Sequence, residues 1–163
     1  LKILTQLIQK LGIYLTSEKL PIHIKGFYYT DTYHDIIVIN KNVTSELEFR
    51  EILSHELGHY FTSVFTNPLA SYSEYLNILN TQRNEFRAIR WACNYLVPTF
   101  TMMHTLKQSA YDIDDICSYF DVSKELLMMK LYMMSLEQNS WHIEGNRYLM
   151  LSSLPSVYIF KKI

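Results

Sequence analysis

The sequence has 163 residues, 48% of them hydrophobic and 19% charged, with a formal net charge of −1. That length and balance fit one globular domain with a real core, and they exclude a disordered chain or a polybasic binder of nucleic acid or anionic membrane. No apolar run reaches the length of a membrane span and no leader pattern opens the sequence. The two cysteines, Cys93 and Cys117, lack paired spacing and read as free thiols of a soluble, cytoplasmic protein. The chain opens on Leu1 rather than Met, which leaves its natural start open.

From Leu1 to about Leu15, the residues Ile3, Leu4, Leu7, Ile8 and Leu11 recur at helical spacing between polar neighbours. An amphipathic packing helix ending near Gly12 is expected. The period then changes. Gly26 to Thr30 and Ile36 to Ile39 are rich in aromatic and β-branched residues around a polar stretch, Asp31 to Asp35. This predicts a hairpin or meander, with Pro21 at the start of an earlier edge strand. His23 and His34 fall here and read as surface residues rather than ligands.

Ser45-x-x-Glu48 is a capping box, opening a helix expected to run to about Thr66, before Asn67-Pro68. On it lies Ser54-His55-Glu56-Leu57-Gly58-His59, a His-Glu-x-x-His motif. Positions four apart share one helix face, so His55 and His59 can offer imidazole nitrogens to one metal ion. Zn2+ takes neutral imidazole readily, and Glu56 beside it is the candidate to accept and return a proton. Composition alone predicts about 0.01 such motifs in a chain of this size, so chance is a poor explanation. On the helical wheel, Leu53, Leu57, Tyr60, Phe61 and Val64 form a core face, and His55, Glu56 and His59 adjoin it with Ile52.

Pro68 to Asn80 reads as a loop or short helix, and a second helix follows from about Thr81 to Val97, closed by Pro98. Glu85 shares a stripe with Ala88, Ile89, Ala92 and Leu96, whose small residues permit close helix approach. A carboxylate on an inward stripe is costly unless paired or metal-bound, which makes Glu85 the expected third ligand. Its plain alternative is a carboxylate favoured by the helix macrodipole, and Glu74 is the weaker competing ligand.

Arg50 to His59, taken with Glu85-Phe86-Arg87-Ala88-Ile89-Arg90-Trp91-Ala92-Cys93-Asn94-Tyr95-Leu96-Val97-Pro98, resembles the ImmA/IrrE family of zinc metallo-endopeptidases. The second run is similar to the family's Glu-x-x-Ala-Asn-x-Phe-Ala-x-x-Leu-Leu-x-Pro pattern, and the likeness covers roughly residues 1 to 135. Ile89 stands where the family often has Asn, Trp91 where it has Phe and Tyr95 where it has Leu. The resemblance implies a gluzincin-like peptidase that cuts a helix-turn-helix repressor of a phage, mobile element or stress operon.

Beyond Pro98, Thr99 to Ser109 reads as a short helix bearing His104, which is expected at the surface. Asp115 to Ser123, leading into Lys124 to Leu131 with Ser123 as N-cap, looks like a helix-turn-helix. DNA reading is not expected of it. Asp112, Asp114 and Asp115 would repel phosphate, the second helix offers Lys124, Glu125, Met128, Met129 and Lys130, and Asp121 replaces the usual turn glycine. Met128, Met129, Met133 and Met134 read as core. In the tail from Trp141 to Ile163, Gly145-Asn146 signals a hairpin turn, and Pro155 confines the next strand to an edge.

The expectation is an α+β fold read as a single domain, 1–163. It comprises a zincin-like core (1–98) in which a small N-terminal sheet shelters a helix pair, a helical helix-turn-helix-like portion (99–135) and a tail (136–163). Zn2+ is held by His55, His59 and Glu85 with Glu56 as proton acceptor, and Tyr60, Tyr95, His104 and His142 are all possible oxyanion donors by type. The expected partner is a protein substrate, with neither nucleic acid nor membrane bound directly. The alternative is a non-catalytic antirepressor or antitoxin-like protein that captures a regulator.

Overall fold

The computed structural model describes residues 1–63, 74–108 and 112–162. It is a mixed α+β structure falling into two compact units, Leu1–Ala92 and Cys93–Ile163.

The first unit opens with α1 (Lys2–Leu11), which buries Leu4 and Ile8 and ends at Gly12, whose φ of 72° caps the helix in the left-handed region. The helix therefore stops before Tyr14 and Leu15, which belong to a strand that the sequence pattern did not reveal, β1 (Tyr14–Glu18). With neither alternation nor a buried residue, β1 is held at a sheet edge through its backbone. β2 (Gly26–Thr30) and β3 (Asp35–Asn40) form the expected antiparallel hairpin, and β1 joins β3 in parallel, giving the order β1-β3-β2. Pro21 lies in the β1–β2 connection, outside any strand. The central strand β3 is the most buried, with Ile37, Val38 and Ile39 in the core.

α2 (Glu46–Thr62) packs on β2 and β3 and buries Leu53 and Leu57 completely. Its N-cap is Ser45, whose side chain accepts from the Glu48 N–H, while the Glu48 carboxylate takes Lys25 Nζ at 2.7 Å. The helix ends at Thr62, with Ser63 extended, rather than at Thr66; Val64 lies outside the described residues. α3 (Glu74–Leu96) starts a full two turns before the expected Thr81. Ala88 and Ala92 are buried, and Gly58 of α2 meets Ala88 so closely that an added Cβ would stand 2.3 Å from the Ala88 carbonyl oxygen. Phe61, expected in the core, stays 44% exposed and stacks on Trp91 with ring centroids 4.9 Å apart.

The second unit contains α4 (Thr99–Gln108), α5 (Ile113–Phe120), α6 (Lys124–Glu137) and a sheet of β4 (Ser140–Glu144), β5 (Arg147–Met150) and β6 (Tyr158–Lys161), ordered β4-β5-β6. Ser123 caps α6 as expected, and the turn before it passes through Asp121 at φ 52°. The β4–β5 hairpin turns at Gly145-Asn146, and β6, which follows Pro155, is an edge strand. Leu106, Ile116, Leu127, Leu131, Met134, Ile143 and Leu149 are among its core residues, so Met134 is core, and Met133 is buried as well. Lys130 is 1% exposed, its ammonium donating to Asn94 Oδ1 and Thr99 Oγ1 at 2.5 and 2.6 Å. Neither cysteine is in a disulfide. Among the described residues no helix is long and apolar enough to cross a membrane.

Candidate metal centre

α2 presents His55 and His59 one turn apart, and their Nε2 atoms approach to 3.1 Å with the rings nearly perpendicular. Glu85 comes from α3, its two carboxylate oxygens 3.2 Å from His55 Nε2 and 3.4 Å from His59 Nε2. A tetrahedral ion with bonds of about 2.0–2.1 Å spaces its ligand atoms about 3.3–3.4 Å apart, so the two nitrogens and the carboxylate already stand at ligand spacing. Among the described residues this is the one group of His, Cys, Asp and Glu that converges in this way.

Glu85 reaches the histidines by a different route from the one its helical stripe suggested. Its side chain is 54% exposed, not buried, although Ala88 and Ala92 behind it are buried. The close approach of α2 and α3 at Gly58 brings the carboxylate to the pair from the solvent side. Glu74 is on the same helix, but its side chain lies outside the described residues.

The electrostatics favour metal over proton. Burial, and next the neighbouring His59, push the His55 imidazole below its ordinary pKa, overcoming the opposing pull of Glu85. Neutral imidazole is the form that binds a metal. His59 Nδ1 lies 3.5 Å from the Ser63 hydroxyl at the α2 C-cap, a contact that orients the ring from outside the ligand set.

Glu56 is 5% exposed, and its carboxyl is pushed up to about 7, first by burial and then by the charge of Glu85. The nearby backbone N–H of Tyr28 works in the opposite direction. Glu56, the three converging residues, Gly26, Phe27 and Tyr28 line a cavity of about 270 Å³. The strand's contribution was invisible in the sequence, where Gly26 to Thr30 carried only a strand signal. The Tyr28 hydroxyl donates to Asp35, its ring meets Tyr60 edge-on at 5.9 Å, and its phenol is pushed up to about 12, chiefly by burial. Of the other residues considered as oxyanion donors, Tyr95, His104 and His142 belong to the second unit, where His104 stacks on Phe100 and His142 contacts the Gly145 carbonyl.

A family model described as the IrrE N-terminal-like domain, Peptidase_M78, matches residues 8–132. The chain belongs to this family. The match supports a peptidase-type fold; a metallopeptidase implies a metal, and His55, His59 and Glu85 are a group that could hold one. A solved Mycobacterium tuberculosis transcriptional regulator has a similar fold, with a TM-score of 0.60 and 17% identity. The likeness covers 90% of this chain and 43% of that one, so this chain spans less than half the length of that structure. No curated protein matches the sequence.

Proposed function

We propose that this IrrE N-terminal-like domain is a zinc-dependent endopeptidase acting on a helix-turn-helix repressor. The observation that carries the enzymatic part is the 3.1–3.4 Å convergence of His55, His59 and Glu85 beside the buried carboxyl of Glu56. Zinc would be held by those three residues and, when bound, supplies a Lewis acid that polarises a carbonyl and acidifies water.

The chain's own residues supply the rest. Glu56, with a carboxyl near neutrality beside the Tyr28 N–H, is poised to take a proton and return it to a leaving amine at ordinary pH. β2 is an edge strand lining the cavity, so its outward backbone groups offer an extended peptide a rail beside the carboxyl. The repressor as substrate is supported by the family resemblance alone.

A binding-only reading has one observation in its favour: the protein of similar fold is itself called a transcriptional regulator. One experiment separates the two. Zinc-loaded protein and its Glu56→Gln variant are incubated with candidate helix-turn-helix repressors, and products are read by mass spectrometry. The peptidase reading expects cleavage by the wild type alone at equal zinc content. Repressor capture without cleavage, unchanged in Glu56→Gln, would establish the regulator-binding reading instead.

A further inference from the structure

The strand that carries Tyr28 pairs along its length with β3, and the connection that feeds it is tied to the end of β3 by one buried side chain. Strand order β1-β3-β2 means that the chain leaving β1 must pass around the end of β3 before it can enter β2. Asn40 is the last residue of β3, on that path, and it is 2% exposed. Its Nδ2 donates to the Ile24 carbonyl at 2.7 Å and to the Leu20 and Pro21 carbonyls at 3.2 Å. Its Oδ1 accepts from Asn42 N–H at 3.1 Å and lies 3.5 Å from the Leu20 N–H, while its own backbone N–H donates to the Lys25 carbonyl at 2.8 Å. A buried carboxamide is tolerated only when its donors and acceptor are all engaged, and here the β1–β2 connection engages the donors while Asn42, just past β3, supplies the shorter bond to the acceptor.

That connection ends at Gly26, the first residue of β2. A Cβ at Gly26 would stand 2.8 Å from Ile52 Cγ2, so β2 is pressed against α2 at its first residue. Two residues on, Tyr28 lines the same cavity as Glu56, with its backbone N–H acting on the Glu56 carboxyl. Sliding β2 along its axis would move that N–H away from Glu56, and the bonds from Asn40 to residues 20–25 oppose the slide. We infer that Asn40 is a positioning residue for Glu56, acting through the β1–β2 connection and the Tyr28 N–H. The role in catalysis rests on the peptidase reading, while the mechanical link does not.

Only this amide geometry explains why the residue must be Asn. Aspartate would set a carboxylate against three carbonyl oxygens, and alanine would leave those carbonyls and the Asn42 N–H without their partner. Serine keeps one short donor and is the milder change.

The test uses the full chain loaded with zinc, comparing wild type, Asn40→Ser, Asn40→Ala and a variant destabilised elsewhere in the same unit, Leu4→Ala. Amide exchange is read by NMR at Tyr28 and along α2. The expected result in Asn40→Ser is Tyr28 exchange about tenfold faster or more, with α2 protection and zinc content near wild type. Hydrolysis of any cleaved substrate falls about tenfold in kcat with KM little changed, and Leu4→Ala shows neither effect. Tyr28 protection unchanged in Asn40→Ser, or equal loss in Leu4→Ala, overturns the inference. In the unaltered protein, Asn40 side-chain NH2 protons exchanging at the free rate also overturn it, whatever the variants do. Failure of the wild type to cleave anything would count against the peptidase reading, and the Tyr28 amide would still decide the role of Asn40.

Discussion

Gly58→Ala tests the contact that brings Glu85 to the histidines. The added Cβ would meet the Ala88 carbonyl oxygen at 2.3 Å, its carbon at 2.8 Å and its Cα at 2.9 Å. Non-bonded heavy atoms prefer about 3.5 Å, so α2 and α3 must part by about 1 Å. All three atoms are helix backbone, which no rotamer change can move, so the overpacking cost sits near the upper end of its range, about 3 kcal/mol. Alanine's better helix propensity returns about 1 kcal/mol, leaving a net loss of about 2 kcal/mol and a fall in Tm of about 4–8 °C. Glu85 stands one turn before Ala88, so the same displacement pulls its oxygens from their 3.2 and 3.4 Å positions. Zinc affinity should fall about 10- to 100-fold, the range for changes just outside a ligand set. Urea unfolding and competitive chelator titration measure the two effects. Gly12→Ala is the control: it strains a φ of 72° in open space, costing about 1 kcal/mol without touching zinc. A Gly58→Ala protein within about 0.5 kcal/mol of wild type, or one with undiminished zinc affinity, would refute the reasoning.

Elemental analysis of protein purified without a metal-affinity step should find about one zinc per chain, lost in both His55→Ala and Glu85→Ala; retention in either removes that residue from the ligand set. In metal-free protein the Glu56 carboxyl is raised from 4.5 to about 7. A raised carboxyl adds stability fully present below its unfolded pKa and lost as pH climbs through the folded one, so about 3 kcal/mol should disappear between pH 4.5 and 7. Glu56→Gln should abolish this dependence, and the stability difference between variant and wild type, measured by urea titration at pH 4 and pH 8, should change by that amount; a pH-independent difference contradicts the assignment. Lys130→Ala should cost about 2–5 kcal/mol, because it empties a fully buried volume as well as breaking the bonds to Asn94 and Thr99, while zinc stoichiometry is unchanged. Asp121→Gly should stabilise by about 1 kcal/mol by relieving a left-handed backbone, seen as a higher urea midpoint; a loss of stability would show that the aspartate's interactions outweigh the strain.

The sequence by itself determined the elements whose signals are local. A four-residue spacing on a capped helix fixed the pairing of His55 with His59, and enrichment in aromatic and β-branched residues found β2 and β3. The N-caps Ser45 and Ser123 and the turn at Gly145-Asn146 were readable for the same reason: their physics involves only a few neighbouring residues. β1 was not readable, because a short edge strand draws on the hydrogen bonds of its partner rather than on any pattern of its own. Glu85 was found for an incomplete reason. Its small-residue stripe did mark a close helix approach, but the carboxylate is exposed and reaches the histidines only because Gly58 lets α3 come against α2. The raised carboxyl of Glu56 and the Tyr28 N–H near it were beyond the sequence altogether, since burial and an approaching strand are properties of packing between segments distant in the chain. Composition and period decide which residue types stand on which face; only the tertiary structure decides which faces meet, and here that meeting sets the spacing of the candidate ligands.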